Sequence, residues 1–159
     1  MKSNRHRRFK IFLQWTLTFL AYGDEAEQAL SLAQKRIEDL EAFWFVTDEN
    51  SDIYKIKHSE GGPVIVTDET TEIVSFTLEM AKETEGALDP TIYPILITWG
   101  FTTHKHRVSD KKEIIQLLNL VNYQEVASSE NTIRLNLGMI LDLDAVGKGY
   151  ASDEVAEIL

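Results

Sequence analysis

Between positions 30 and 44 apolar side chains recur at intervals of three and four: Leu30, Ala33, Ile37, Leu40 and Trp44. That spacing sets all five on one face of an α-helix, and a helix with one apolar face needs other elements to pack against it. Gly23-Asp24 marks the start of this helix, and Asp24, Glu25 and Glu27 fall in its first turn, where the helix dipole favours anions. Ahead of it, Thr16 and Thr18 alternate with Leu17 and Phe19, the pattern of a half-buried strand. The same stretch, with the basic residues before it, also has the outline of a short signal peptide. Gln14, Thr16 and Thr18 interrupt its apolar run, no small-x-small cleavage site follows, and it is too short to span a bilayer. The strand is therefore the favoured reading, and the compartment is left open.

Downstream, Thr47 to Asp52 forms a polar loop, Gly61-Gly62-Pro63 a turn, and Val64-Ile65-Val66 a short strand between breakers. Thr67 or Asp68 can cap a second helix that runs to about Glu85 and closes on Gly86. Residues 87–101 are apolar but contain Pro90, Pro94 and Gly100, so an ordered irregular segment is expected there. Ser109 is placed as the cap of a third helix carrying Ile114, Leu117, Leu118 and Val121. Two or three short strands are expected, at 124–127, 132–135 and 139–143, with residues 128–131 as a hairpin turn, and a final helix over 148–159. Strands and helices mix without regular βαβ alternation, which points to an α+β domain. The final helix ends with neither a glycine cap nor a polar tail, as though a domain were cut midway.

Composition narrows the chemistry. With 43% hydrophobic and 9% aromatic residues the 159-residue chain can bury a core. It has no cysteine, which removes disulfides, thiolate metal sites and cysteine nucleophiles. Five of its sixteen Lys and Arg residues lie in the first ten positions (Lys2, Arg5, Arg7, Arg8 and Lys10), a basic lead expected to be solubilising or unstructured. The remainder holds eleven basic against twenty-six acidic side chains. Such a body repels a phosphate backbone, so nucleic acid is not an expected partner. A phosphorylated small ligand would need local donors or a divalent cation.

Two segments can carry chemistry. In Leu141-Asp142-Leu143-Asp144-Ala145-Val146-Gly147-Lys148-Gly149-Tyr150 an apolar strand runs into a glycine-flanked lysine at a helix start. Gly147 and Gly149 would let backbone amides approach a ligand, and Lys148 adds a point charge suited to phosphate. Asp142 and Asp144 precede the turn, where one carboxylate can face a ligand while its neighbour points away. A carboxylate there could take a ribose or nucleobase donor or join a divalent-ion site. A plain strand-to-helix turn with Lys148 solvated is an equally open reading, because the full P-loop spacing is absent. In the second segment, 86–101, Pro90 and Pro94 hold Asp89 and Thr91 in a rigid polar notch flanked by Trp99 and Phe101. That suits a flat ring with polar edges, and also suits an aromatic core loop. His104-Lys105-His106 places two imidazoles together on a hydrophilic loop without a third ligand and reads as solvated.

Three stretches together resemble the FAD:protein FMN transferase family, also called the ApbE or thiamine-biosynthesis lipoprotein family. Residues 87–94 with Trp99-Gly100-Phe101 resemble its F-D-P-T-V-x-P-L-x-x-x-W-G-F segment, and residues 142–153 its D-L-G-[GA]-[IV]-[AG]-K-G-Y-A-x-D segment. Residues 48–53 resemble its D-x-x-S-E-I loop. Order and spacing agree from about Phe12 to Leu159. The resemblance implies an α+β, ApbE-like (T-fold-related) flavin transferase domain, N-terminal portion only, with residues 1–10 as lead and 11–159 as the half domain. It implies Mg²⁺-dependent transfer of FMN from FAD to a threonine of a target flavoprotein, releasing AMP, by a chain that is incomplete and inactive alone. A non-catalytic flavin-binding remnant and an FAD pyrophosphatase are the alternatives. By motif position Ala87, Leu88 and Asp89 would line the flavin site. Asp142 and Lys148 would contact FAD, and the carbonyl of Ala145 would ligate Mg²⁺; no catalytic residue is assigned. Family members are commonly exported and lipid-anchored, for which no cysteine is present here.

The chain departs from the family pattern at several positions. Leu13-Gln14-Trp15 stands in place of Met-Gly-Thr, with Trp15 expected to fill ligand space. Thr47 stands where many members place an aromatic residue over the flavin, Lys57 where they place Asn, and Asp144 where they place Gly or Ser. The downstream Asp and Thr that complete the family's Mg²⁺ site have no counterpart in these residues.

Overall fold

The computed structural model describes residues 5–12, 15–103 and 105–159. Among them, strands β1 (Arg5–Phe12) and β2 (Trp15–Tyr22) form an antiparallel hairpin with Arg5 opposite Tyr22 and Phe12 opposite Trp15. β2 follows the alternation expected of it, and Phe19 turns into the core. β1 takes in residues 5–10 of the basic lead. Leu13, Gln14 and His104 lie outside the described residues, so two positions of the altered Met-Gly-Thr element and one of the paired histidines have no structural account.

Helix α1 (Ala26–Trp44) is the hub, touching β1, β2, α2 (Asp52–Lys57), α3 (Asp68–Glu83) and α6 (Asp144–Ile158). All five residues of its apolar stripe are buried, Leu30, Ala33, Ile37 and Leu40 completely. Each large side chain among them contributes about 1.5–3 kcal/mol by leaving water. Arg36 leaves the same helix on its partly exposed side and binds Glu69 of α3 at 2.9 Å and Glu154 of α6 at 2.7 Å, so one guanidinium ties three helices. A second sheet, β3 (Val64–Ile65), β5 (Thr132–Arg134) and β4 (Ala127–Ser129) in that order, is antiparallel throughout. Its Ile133 is fully buried in the same core. None of the described helices is long and apolar enough to cross a membrane.

The loop after α1 is held from inside. Asp52, almost wholly buried, accepts at Oδ2 from the Thr67 amide and hydroxyl (both 2.8 Å) and from the Thr70 hydroxyl (2.9 Å). The Trp44 indole donates to Thr70 Oγ1 at 3.2 Å. Thr67 in turn caps α3 as expected, accepting from the Thr70 amide, and Gly86 closes that helix at φ +81° with its amide on Ala81 O. The D-x-x-S-E-I-like stretch is thus a structural knot between α1, α2 and α3, with Ser51 as the cap of α2.

Several sequence expectations are corrected. Residues 87–101 are not irregular throughout: α4 (Tyr93–Thr98) forms because Pro94 falls in its first turn, where a missing N–H costs nothing. Helix α5 (Lys111–Leu117) is capped by Asp110, whose carboxylate accepts from the Lys112 amide, while Ser109 donates to Thr98 O instead. Residues 139–143 alternate buried and half-buried as a strand would, but among the described residues have no ladder partner and belong to neither sheet. The last helix begins at Asp144 rather than Lys148, and β4 sits at 127–129, later than the expected 124–127.

Removing the Asp52 carboxylate leaves buried donors on Thr67 and Thr70 without an acceptor. Asp52→Ala is therefore expected to lower unfolding free energy by about 2–4 kcal/mol, read from urea midpoints. Thr70→Val, which removes one arm of the knot, should cost less.

Candidate functional site

A cleft of about 770 Å³ opens beside the start of α6. One side is aromatic and aliphatic: Trp44, Phe45 and Val46 at the end of α1, Tyr93 and Leu96 of α4, and Phe101. The other is polar, with Asp142, Asp144 and Lys148 following one another along the chain, and the backbone of Leu143 and Ala145 between them. Thr47 and Thr102 complete the rim. Volume and lining are those of a site for a ligand with a flat apolar part and a charged part.

The two sequence segments singled out for chemistry meet here. The Asp142 amide donates to the Pro90 carbonyl at 2.7 Å, fixing the approach to α6 against the proline turn that launches α4. That turn is clamped by Asp89. Its Oδ1 accepts from the Thr91 amide (2.8 Å) and hydroxyl (2.6 Å), and its Oδ2 accepts from the Tyr123 amide at 3.0 Å. The Thr91 hydroxyl oxygen accepts from the Asn122 amide at 2.8 Å. Thr91 is fully buried. The notch expected to hold a ring edge is filled by these main-chain donors.

Of the six residues placed at the site from sequence, Asp142, Ala145 and Lys148 line the cleft, and Ala87, Leu88 and Asp89 do not. Ala87 is exposed, the Leu88 amide is bonded to Thr84 Oγ1 at 3.1 Å, and both Asp89 oxygens are engaged as above. Asp89 therefore acts on the cleft through the position of Pro90. The glycine turn is also different from expectation. Because α6 starts at Asp144, Gly147 is buried inside it with its amide on Leu143 O (2.7 Å). Lys148 stands in the second turn and donates to Asp144 O at 2.7 Å. Asp142 and Asp144 both line the cleft rather than facing opposite ways, since the chain turns from extended to helical between them.

Tyr93, Phe45, Val46 and Leu96 had no role in the sequence reading. Tyr93 was visible within the Asp-Pro-Thr-Ile-Tyr-Pro stretch as a large ring beside a proline. Its exposure toward a cleft follows only once α4 is recognised as a helix. Nothing is described of the Trp15 side chain, and Thr47 sits on the rim.

Electrostatics single out the acidic pair. Burial pushes the Asp144 carboxyl up to about 6, and the neighbouring Asp142 charge adds to this while Lys148 opposes it. Burial also raises Asp142, against the bond it accepts from the Asp144 amide at 2.8 Å. Two carboxylates raised in this way carry a cost as ions that a divalent cation offsets. Mg²⁺ characteristically takes one or two carboxylates and keeps waters and ligand phosphates in its other positions. Asp142 and Asp144 are the two carboxylates lining the cleft that could supply that share. The carbonyl of Ala145, in the first turn of α6, keeps a lone pair beyond the one its helix bond uses. Among the described residues no group of three or more His, Cys, Asp or Glu side chains converges.

The sequence matches the ApbE family over residues 13–159. The chain belongs to the ApbE family. Among curated relatives, an FAD:protein FMN transferase of Klebsiella pneumoniae is 28% identical, the match covering all of this chain and 52% of the relative. One of Buchnera aphidicola is 26% identical over 81% of this chain and 40% of its own length. Among solved structures, the ApbE protein of Thermotoga maritima superposes with a TM-score of 0.89 at 24% identity, covering 98% of this chain and 52% of that one. The apo flavinyl transferase ApbE of Pseudomonas stutzeri gives 0.86 at 20% identity over the same shares. At these identities the structures establish the fold.

The α+β ApbE fold is thus the one expected, while its description as an N-terminal portion only is corrected. The Klebsiella match and both structural matches take in 98–100% of the chain, so the ApbE fold extends over the chain as a whole. The chain spans about half the length of these ApbE relatives.

The raised Asp144 pKa has a definite sign. In metal-free solution the folded chain holds its Asp144 proton to higher pH than the unfolded chain, so stability falls as pH rises from about 4 through about 6. Asp144→Asn in EDTA is expected to unfold at higher urea than the parent chain at pH 7.5. The gain should vanish below pH 4, where both carry a neutral group.

Proposed function

We propose that this chain forms part of the FAD site of a flavin transferase, which moves FMN from FAD to a threonine of a target flavoprotein and releases AMP. Membership of the ApbE family supports the reaction class, and curated relatives are named FAD:protein FMN transferases. The observation that carries the reading is the cleft's division into an aromatic side and a carboxylate–lysine side. A flavin nucleotide has the same two parts, a planar ring system and a diphosphate.

In the transfer, the acceptor threonine oxygen forms a bond to the FMN phosphorus. The bond from that phosphorus to the bridging oxygen breaks, AMP leaves with the electron pair, and the threonine proton passes to solvent or a base. The work asked of the protein is positioning and charge stabilisation. Phe45, Leu96 and Phe101 provide apolar surface for a ring and exclude water from it, with the buried Trp44 as the floor beneath them. Lys148 supplies a positive charge at the diphosphate end, already steadied by its bond to Asp144 O. Asp142 and Asp144, with the Ala145 carbonyl, would hold Mg²⁺, which when bound neutralises diphosphate charge in an otherwise acidic protein. Asp89 and Pro90 set the distance between the aromatic and acidic sides.

The test is a flavin-fluorescence titration with FAD, in Mg²⁺ and in EDTA, followed by incubation with FAD, Mg²⁺ and a target flavoprotein. Binding is expected to need Mg²⁺, and Asp142→Ala or Lys148→Ala should each weaken it by about tenfold or more. Equal affinity in EDTA, or indifference to both substitutions, would sink the proposal. Covalent flavin on the target identifies transfer, and FMN released free would identify hydrolysis instead.

A further inference from the structure

Tyr93 is the one tyrosine lining the cleft, at the first position of α4, and it is half-buried there. Its hydroxyl makes no hydrogen bond to any described residue, in contrast to Tyr150, whose hydroxyl donates to Glu72 at 2.8 Å. The ring stands on the aromatic side of the cleft that Asp142, Asp144 and Lys148 also line, and the 2.7 Å bond from the Asp142 amide to Pro90 O, three residues before Tyr93, brings the acidic stretch up to its segment. Burial first, and then the Asp142 and Asp144 charges, push its phenol above the ordinary value, so the group keeps its proton and acts as a donor. Neither neighbouring carboxylate takes that proton within the chain.

A half-buried O–H with no acceptor among the described residues, on a side chain that lines a cleft of ligand size, is left to take its acceptor from water or a ligand. At the acidic end the acceptor is supplied by a group drawn there by Lys148 and a divalent cation, which is a phosphoryl oxygen. A neutral donor suits this place, since it adds a hydrogen bond to phosphate without competing with the cation for the carboxylates. Pro94 in the first turn and the Asp142 amide on Pro90 O hold the ring's backbone in place before any ligand arrives. We infer that Tyr93 orients the bound flavin nucleotide by donating its phenolic hydrogen to a phosphoryl oxygen, an inference that rests on the function proposed above.

Tyr93→Phe keeps the ring and removes only the donor, and no intrachain hydrogen bond goes with it, so the thermal midpoint should not move. FAD affinity in Mg²⁺ is expected to fall about tenfold, the size of one hydrogen bond to a charged acceptor. In the ³¹P spectrum of bound FAD, one phosphorus resonance should shift between the parent chain and Tyr93→Phe. An unchanged ³¹P spectrum, whatever the affinity, overturns the inference, as does an affinity within about twofold of the parent. Both results leave the proposed function standing. If the parent chain itself binds no FAD in Mg²⁺, the proposed function fails and this inference with it.

Discussion

Two stretches far apart in sequence face each other across the cleft, and a single main-chain hydrogen bond, Asp142 N–H to Pro90 C=O, sets their separation. Its net contribution to stability is of the ordinary size, about 1 kcal/mol. Its geometric consequence is larger, because both partners sit where the chain changes direction. Proline has no N–H of its own to anchor the turn at residue 90, and residues 139–143 pair with no strand. Core burial of Met139, Leu141 and Leu143 holds the lead into α6 in depth, and this bond fixes its height against the turn before α4. The Asp89 clamp matters for the same reason. By accepting from Thr91 and Tyr123 it holds the turn that carries the Pro90 carbonyl.

What the sequence made legible follows from how local each signal is. The stripe from Leu30 to Trp44 is a period that only a helix satisfies, and the Thr67 cap and Gly86 terminus are written in single residues. The errors cluster where tertiary context decides. Pro94 reads as a breaker until its position is known, and in the first turn it is harmless. The stretch 139–143 has the alternation of a strand, and Met139, Leu141 and Leu143 are buried as alternation demands. A strand also needs a neighbour, which no local pattern reveals. Gly147 and Gly149 flank a lysine as in phosphate-binding loops, but the helix starts one turn earlier and absorbs Gly147. Of the site itself, Asp142, Ala145 and Lys148 could be placed because they occupy one short motif. Asp89 could be noticed, but its engagement with Tyr123 depends on a contact that no spacing encodes.

The acidic character of the chain gives the cleft its logic. A body with a large excess of carboxylates repels a phosphorylated ligand at long range, beyond what one lysine offsets. Inside the cleft the balance differs, because Asp142 and Asp144 are costly as a charged pair and Lys148 is partly engaged with backbone. An anion alone would meet two like charges, and a cation alone would lack enough oxygens. On the function proposed above, each would satisfy what the other leaves unmet, so a cation and a phosphorylated ligand would bind together more favourably than either one separately. Asp144 strengthens that coupling. On the proposed function it adds a second negative charge that would have to be neutralised before a diphosphate could approach.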